Sequence, residues 1–570
     1  MRVRDLLLVR VGQIAIFTGP AVTLAITPNT NFDPINLAKL LILSVASLGF
    51  LGLFLFNSKF FIQRLGSTVF LLSLAFALWL ILSLVFSDAH WEQQLWGVWG
   101  RSTGVLTYIL LCLIMLAVAS VQLIETYSRL VYGLIFVSIL EIAYMAMQTF
   151  GKDPVGWSRK EAFGTLGNIN FSSAFIGIAM VALFALLVFG QKSKVINLLI
   201  FGFLAFDFYV IAKTGSIQGP VIFLIGTLLN IGVKVWAFGS FWKVSYLSFL
   251  FVSFVLGVAG LLNKGPLASL LYQETLIFRR DYWFAGMKMT LENPIFGLGM
   301  DSYGDYYREL RGLEATVRTG PDRISNSAHN IYLDVSSGGG IPLLLLYVLL
   351  LGMGLIGAIR YLRSSNEKSW HFIAVAGAWV AYQIQALVSI NQIGVGVWGW
   401  ILTGCLIGYG RIDRESLNQK QIKKPKIKGE AKSVVAADKS FSYGSTRGEH
   451  LPAPSLLALF MGMTIGFLVA LPPMLADRNF KTAIQTRQIE EMESALQATG
   501  ITAFHFEHVI QSAALANLPD NARNLAHKLL ETYPRNYYAW GIIYQLAQSD
   551  QERNRALQER RRLDPFNPGP

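Results

Sequence analysis

The chain has 570 residues, of which 53% are hydrophobic and only 15% are charged. Soluble domains carry about 25% charged residues, so this composition argues against a wholly soluble protein and favours one that lies largely in lipid. The formal net charge is +13, but short loops hold much of the basic excess, which favours membrane topology over nucleic-acid binding as its cause.

Apolar runs recur along the chain, and a bilayer span needs about 20 mostly apolar residues. They predict an all-α polytopic membrane protein with about 12 to 13 transmembrane helices, of which the first and the Gly- and Trp-rich run 393–410 have the weakest signals. The first run lacks a clear cleavage site and is interpreted as a span, not a removed signal peptide. The predicted spans are 11–28, 36–57, 67–87, 105–124, 129–149, 171–190, 195–212, 218–238, 243–263, 340–359, 372–390, 393–410 and 453–473.

The distribution of basic residues predicts the orientation of these spans. With the N-terminus in the cytoplasm, most basic residues of the short loops fall inside, as the positive-inside rule requires. The inner loops and flanks contain Arg2, Arg4, Arg10, Lys59, Arg64, Arg129, Lys192, Lys194, Lys234, Lys243, Arg360, Arg363 and Lys368, and the outer loops contain Arg101, Lys152, Arg159, Lys160 and Lys213. The expected location is a cell (cytoplasmic) membrane, with the loop 264–339 and the C-terminal domain outside.

Composition divides the chain into a membrane core 1–410, a Lys-rich linker 411–452, a last span 453–473 and a charged helical domain 474–570. The linker is expected to be flexible and cytoplasmic. In the last domain, the stretch NARNLAHKLLETYPRNYYAWGIIYQLA predicts two amphipathic helices separated at Tyr533-Pro534, and another Pro turn follows about 31 residues later. This pattern resembles a tetratricopeptide helix pair, and a plain helical bundle is the alternative.

The two cysteines, Cys112 and Cys405, lie in apolar runs, so neither a disulfide framework nor a cysteine metal site is predicted. Chemistry is expected instead in the loop 264–339, hereafter the long loop, because loops of this length are uncommon unless they are functional. Near its start, Arg279 and Arg280 open a predicted helix 279–291, where guanidinium groups suit a phosphate; interfacial snorkelling is the alternative.

At the other end of the long loop, His329 lies just before a span. A neutral imidazole can accept a proton near physiological pH, and a structural hydrogen bond is the alternative role. Motifs surround both ends of the loop. Along the chain they are WGRSTGVLTY with Arg101, GTLGNINFSSAF from Gly164, Arg279/Arg280 with Trp283, Asn293-Pro294 with Gly297 and Gly299, and His329-Asn330 with Tyr332-Leu333 before Gly338 to Gly340.

The order of these motifs over about 90–410 resembles the O-antigen ligase and O-antigen polymerase family of bacterial envelope glycosyltransferases. The resemblance implies a glycosyltransferase C type membrane fold and transfer of a glycan from undecaprenyl-pyrophosphate to an acceptor hydroxyl of a lipid, protein or glycan. It implies no metal and no other cofactor. By the same resemblance, the arginines bind the pyrophosphate, His329 is catalytic, and Asn330, Tyr332 and Trp283 belong to the substrate-binding region.

One position departs from the family pattern. Many members have Ser-Arg-Gly after the middle spans, whereas this chain has Gly215-Ser216-Ile217-Gln218-Gly219. Gln218 stands near the arginine position, so Lys213, Arg101 or the second member of the 279/280 pair is expected to supply a further cation.

Three other functions stay open. A polymerase of the same fold would add the glycan to another carrier-linked glycan. A polysaccharide or lipid transporter or flippase would need polar residues in mid-span, where Glu141 and Asp207 are the main cases, and an internal repeat. A membrane scaffold would bind a protein partner through the C-terminal helical domain, but it would leave the loop motifs without a role.

Overall fold

The structure is a computed structural model that describes residues 3–158, 160–272, 274–364, 369–412, 451–567 and 569. Every regular element within these ranges is a helix. Most of the predicted linker, 413–450, lies outside the described residues, as do the basic residues Arg2, Arg159 and Lys368.

Eleven described helices are long and apolar enough to cross a membrane. They are α1 (Val3–Leu24), α2 (Asn36–Phe56), α4 (Ser67–Phe86), α7 (Ile124–Thr149), α8 (Ile169–Phe189), α9 (Lys194–Thr214), α10 (Gln218–Val235), α11 (Ser240–Leu261), α16 (Ile331–Ser364), α17 (Trp370–Val388) and α19 (Ala453–Thr486). Two further apolar helices, α6 (Val105–Val121) and α18 (Ile393–Tyr409), have 17 residues each. All of them lie at predicted spans, so the all-α polytopic architecture is confirmed.

The remaining helices lie outside these spans. They are α3 (Ser58–Leu65), α5 (Trp91–Trp96), α12 (Ala268–Leu271), α13 (Glu274–Glu292), α14 (Tyr303–Leu310), α15 (Leu313–Thr319), α20 (Ile489–Ala495), α21 (Ala503–Leu515), α22 (Pro519–Thr532), α23 (Tyr537–Leu546) and α24 (Asp550–Leu563). The long loop is therefore largely helical, and the helix predicted for 279–291 begins earlier, at Glu274.

Contacts between connecting segments sort these segments onto two faces of the bundle. On one face, which we call the loop face because it bears the long loop, Arg101 pairs with Asp301 and Arg311 pairs with Asp564. On the opposite face, Arg64 donates hydrogen bonds to the carbonyl oxygens of Ser120 and Val121.

These contacts indicate whether the two short apolar helices, α6 and α18, cross the membrane. A chain returns to the same face only after an even number of crossings. If the eleven longer helices cross, then α6 must also cross for Arg101 to meet Asp301, and α18 must cross for Arg311 to meet Asp564. Seventeen residues in a helix span about 26 Å, slightly less than an average hydrocarbon core of about 30 Å, and local thinning of the bilayer accommodates such a difference.

Backbone hydrogen bonds join the middle of the long loop to its C-terminal end. The amides of Leu298, Gly299 and Ile341 donate to the carbonyl oxygens of Ser337, Gly338 and Pro294, at 2.8, 3.0 and 2.8 Å. Gly297 has a φ of 69°, and a Cβ there would collide with the backbone of Gly338. The two glycine motifs of the sequence therefore meet inside α16, where Gly340 (φ 78°) introduces a kink.

The helices α20 to α24 pack successively around a core that includes Phe480, Val509, Ile510 and Leu529. The predicted amphipathic pair corresponds to α22 and α23, which flank Tyr533-Pro534. This C-terminal domain also packs on α14. Arg308 and Arg311 both pair with Asp564, at 3.0 and 2.8 Å, and the guanidinium of Arg535 lies 3.8 Å from the ring centre of Tyr306.

Candidate active site

A cavity of about 520 Å³ on the loop face collects predicted residues from distant parts of the chain. Arg279 and His329 line it from the two ends of the long loop, and Gln218 lines it from the start of α10. Gly167, Asn168 and Asn170 of the GTLGNINFSSAF motif, and Trp99 and Gly100 of the WGRSTGVLTY motif, complete much of the wall. Hereafter this is the central cavity.

The paired arginines at the start of the long loop have different surroundings. Arg279 lines the central cavity, and no described carboxylate lies within ion-pair distance of it. Burial lowers the pKa of Arg279, but an arginine side chain stays protonated in proteins. Arg280 instead points outward, with 65% of its side chain exposed, and approaches Glu314 at 3.8 Å. The free cation at this site is therefore Arg279.

His329 is fixed by its backbone and by an aromatic neighbour. Its amide donates to the Ser327 hydroxyl at 3.0 Å, and that hydroxyl donates to Asp334 at 2.6 Å. The imidazole stacks on the ring of Tyr282, with centroids 5.3 Å apart. Within the described part of the chain, no side chain forms a hydrogen bond with either ring nitrogen, so the ring nitrogens are available to a ligand in the cavity.

The surroundings of His329 keep its imidazole neutral. Burial, and then the positive charges of Arg279 and Arg101, lower its pKa from 6.5 to about 4. A bound anion would act in the opposite direction, because a nearby negative charge favours the protonated ring. The basicity of His329 is therefore expected to rise when an anionic ligand enters the cavity.

Arg101 is buried and already has partners. Its guanidinium pairs with Asp301 at 3.0 Å and donates to the carbonyl oxygen of Asn326 at 2.5 Å. Asp301 also accepts hydrogen bonds from Thr103 and from the amide of Val98. Arg101 does not line the central cavity, so its contacts favour a role in holding the long loop over direct contact with a ligand.

The segment Gly215–Gly219, which departs from the family pattern, contributes the amide side chain of Gln218 to the central cavity and no cation. The Nε2 atom of Gln218 donates to Gln385 at 2.5 Å, while its buried Oε1 atom has no hydrogen-bond partner. The neighbouring Ser216 donates to Asn170 at 3.0 Å. Lys213 is exposed, lies 5.5 Å from the ring centre of Tyr209, and does not line the central cavity.

Of the other three predicted residues, Asn330 and Tyr332 form structural hydrogen bonds. The amide oxygen of Asn330 accepts from the backbone amides of Tyr332 and Leu333, so it caps the start of α16. The Tyr332 hydroxyl donates to Gln383 at 2.7 Å, which ties α16 to α17. Trp283 has a buried indole nitrogen without a partner and does not line the central cavity.

Several lining residues were not singled out from the sequence. Asn36 donates to the carbonyl oxygen of Gly100 at 2.8 Å and to Asp33 at 3.3 Å, and it accepts from Gln392 at 3.4 Å. These side chains come from the α1–α2 and α17–α18 connections. They form a hydrogen-bonded part of the cavity wall, and no sequence motif marked them.

The buried carboxylate of Glu141, predicted as a mid-span polar group, forms hydrogen bonds with residues of the GTLGNINFSSAF motif. It accepts hydrogen bonds from the amide and hydroxyl of Thr165, at 2.9 and 2.7 Å, and from Ser172 at 3.3 Å. Lys39, also fully buried, donates to the carbonyl oxygens of Thr23 and Ala25. Glu141 therefore holds the GTLGNINFSSAF segment, part of which lines the cavity. Asp207, the other mid-span carboxylate, has no hydrogen-bond partner among the described residues.

Of the eight described non-glycine residues with a positive φ, three are His329 and residues at the Arg101–Asp301 contact, and the other five lie elsewhere in the chain. Ser102, Asp301 and His329 all have positive φ values, of 54°, 61° and 51°. Non-glycine residues rarely adopt this conformation, so the backbone at these three positions is held by the surrounding contacts.

Comparison with models of known protein families finds no match, and comparison with curated proteins finds none either. In the parts of the chain that the structure describes, no group of three or more His, Cys, Asp or Glu side chains is placed to hold a metal ion.

Proposed function

We propose that the protein is a membrane glycosyltransferase that transfers a glycan from undecaprenyl-pyrophosphate to an acceptor hydroxyl on the outer face of a cytoplasmic membrane. The observation that carries this proposal is the shared position of Arg279 and His329 on the central cavity. These residues come from opposite ends of the long loop, and the motif resemblance assigns them to phosphate binding and catalysis. A glycosyltransferase C type fold and a tetratricopeptide-like tail belong to the same proposal.

In this proposal, Arg279 binds the pyrophosphate of the donor. A guanidinium group offers two parallel N–H donors to phosphate oxygens, and its charge stabilises the leaving group as negative charge grows on it. Gln218 and the asparagines at 168 and 170 add neutral hydrogen-bonding groups nearby. In this arrangement Arg279 alone among the described lining residues supplies the positive charge. Gln218, which stands near the second arginine position of the family that the motifs resemble, supplies a neutral hydrogen-bonding group.

The reaction joins the acceptor oxygen to the anomeric carbon of the donor sugar. The bond between that carbon and the phosphate oxygen breaks, and undecaprenyl-pyrophosphate leaves with the bonding electron pair. The acceptor hydroxyl proton passes to the imidazole of His329. Because the free imidazole is weakly basic, with a pKa of about 4, the bound pyrophosphate has a second role in raising this pKa.

A comparison of the two adjacent arginines tests the proposal. Transfer from a lipid-linked glycan is measured with the full-length protein in nanodiscs, for Arg279→Ala and for Arg280→Ala. Removal of a charge that contacts the leaving group is expected to lower transfer by about a hundredfold or more. Arg280→Ala is expected to retain most of the wild-type rate because Arg280 is exposed and paired with Glu314.

Two outcomes would count against this function. If both variants transfer glycan at the wild-type rate, Arg279 does not bind the donor. If His329→Ala also retains full transfer while its membrane insertion is normal, the central cavity is not the active site. A transporter would instead move the lipid-linked glycan between leaflets without forming a new glycosidic bond, which product analysis by mass spectrometry separates.

A further inference from the structure

A second, larger space lies beside the central cavity. It is a cleft of about 640 Å³ between the long loop and the C-terminal domain. The loop side includes Asp305 and Asn326, and the domain side includes Phe504, Tyr538 and Gln545. Hereafter this is the tail cleft.

Trp99 connects the two spaces because it lines both of them. Its indole stacks on Phe504, with ring centroids 4.0 Å apart and planes 7° apart, and its nitrogen donates to Asp477 at 3.1 Å. The indole is therefore held rigidly between the membrane core and the C-terminal domain. A chain bound in the tail cleft would have one end close to the central cavity.

Most of the cationic groups in the tail cleft are neutralised within the protein. Arg308 pairs with Asp564, and Arg535 pairs with Glu309. Of the carboxylates, Asp301 pairs with Arg101. Arg560 also lines the cleft and has no carboxylate partner among the described residues; its guanidinium donates to the Tyr537 hydroxyl at 2.9 Å. Asp305, Asp322 and Glu507 line the same cleft, so its carboxylates outnumber its cations and the space does not suit a phosphate group.

The remaining surface combines aromatic rings with hydrogen-bonding side chains. Phe504 and Tyr538 are 37% and 38% exposed, so part of each ring is accessible to a ligand in the cleft. Amide groups at Asn326, Asn536 and Gln545 lie around them. Flat apolar rings next to amides and carboxylates suit a ligand that offers both C–H faces and many hydroxyl groups, which describes a glycan chain better than a peptide.

We infer that the tail cleft binds the acceptor, and that this acceptor is a glycan chain whose end reaches past Trp99 to His329. The inference rests on the proposed transfer function for the chemistry at His329. The C-terminal domain then has a defined role: with the long loop, it forms the acceptor site of the transferase.

The test uses the full-length protein in nanodiscs and a probe of known origin. The probe is an oligosaccharide released by mild acid from the lipid-linked glycans of the source organism and labelled with a fluorophore. Binding is followed by fluorescence anisotropy for Tyr538→Ala and Gln545→Ala. The matched controls are Phe566→Ala and Gln511→Ala, which change exposed residues of the same domain outside the tail cleft.

Loss of one aromatic contact is expected to weaken binding by about threefold to tenfold in Tyr538→Ala, while both controls bind like the wild type. In transfer assays, Tyr538→Ala should raise the KM for the acceptor by a similar factor and leave the KM for the donor unchanged. Thermal unfolding of each variant separates loss of binding from loss of folding.

The outcomes distinguish the two proposals. If the wild type transfers glycan but Tyr538→Ala and Gln545→Ala match their controls in binding and in acceptor KM, the acceptor does not occupy the tail cleft and the transferase function stands. If the probe binds and the variants weaken it, but no transfer occurs, the glycan site stands and the transferase function fails. If the wild type does not bind the probe, the tail cleft is not a glycan site, and a protein acceptor becomes the competing assignment.

Discussion

His329 stacks on Tyr282, with ring centroids 5.3 Å apart and planes 28° apart. Tyr282 lies one helical turn after Arg279, so the two side chains emerge from the same side of α13. One helix therefore supplies both the cation of the central cavity and the ring that orients the histidine.

This stacking makes Tyr282 a positioning residue. Tyr282→Ala is expected to lower kcat by about tenfold and to leave the donor KM nearly unchanged, because the imidazole loses its support while Arg279 stays in place. Tyr282→Phe keeps the aromatic face and should restore most of kcat. Steady-state kinetics for the three proteins check this split, and a failure of Phe to rescue would assign the effect to the hydroxyl.

The low pKa of His329 predicts the pH dependence of the free enzyme. If neutral His329 is the base, the acid limb of kcat/KM should fall near pH 4 and not near pH 6.5.

The free energy of unfolding should also depend on the protonation of His329. The unfolded chain binds this proton near pH 6.5 and the folded chain near pH 4, so His329 lowers stability as the pH falls through that interval. His329→Gln should lessen this loss in thermal denaturation from pH 7 to pH 4.

Arg101 and Asp301 should behave as a coupled pair. Removal of one partner of a buried ion pair leaves an uncompensated charge and costs about 3 to 5 kcal/mol. Asp301→Ala and Arg101→Ala are each expected to lower the unfolding midpoint strongly, and the double variant should be less destabilised than the sum of the two. Additive losses would mean that Arg101 and Asp301 stabilise the protein independently of each other.

Asp564 anchors the C-terminal domain to the long loop. Its carboxylate and its partner Arg311 are both 0% exposed, so Asp564→Ala is expected to destabilise the protein by about 3 kcal/mol. Limited proteolysis should then release the domain more rapidly. Glu559→Ala removes a partly exposed ion pair with Arg562, which lies in the same helix as Glu559, and should change stability by less than about 1 kcal/mol. Equal effects of the two substitutions would argue against this anchoring role.

Orientation can be measured by labelling. Cys112 and Cys405 are buried, so the native protein should react little with a membrane-impermeant maleimide. Gln511→Cys lies in the C-terminal domain and should be labelled in intact cells. Lys192→Cys lies between α8 and α9 and should be labelled only after the cells are permeabilised. The reverse pattern would place the central cavity on the cytoplasmic side.

Hydropathy alone predicted the positions of the apolar helices, because lipid selects segments by length and apolarity and leaves few alternatives. The short helices at 105–121 and 393–409 illustrate the limit of this signal. Their length is marginal, and the contacts between Arg101 and Asp301 and between Arg311 and Asp564 supply the argument that they cross.

The candidate site was predicted less completely. The motifs predicted Arg279 and His329 as site residues, but they did not distinguish Arg279 from Arg280. Both arginines fit the same spacing, and only the packing of the long loop decides which of them faces the cavity. Asn36 and Gln392 were missed because single polar residues at span ends resemble ordinary solvated positions. Trp99 stood inside a quoted motif, yet its position between two cavities depends on the C-terminal domain.

The pairing of Arg311 with Asp564 also sets an order of events during biosynthesis. The two residues are 253 positions apart, and α16, α17, α18 and α19 lie between them. When the long loop leaves the insertion machinery, the carboxylate that neutralises Arg311 has not yet been synthesised. The loop must wait for the last membrane crossing and for α24 before it can reach its final packing, so the newly made core is expected to stay incomplete until the C-terminal domain has been delivered to the same side.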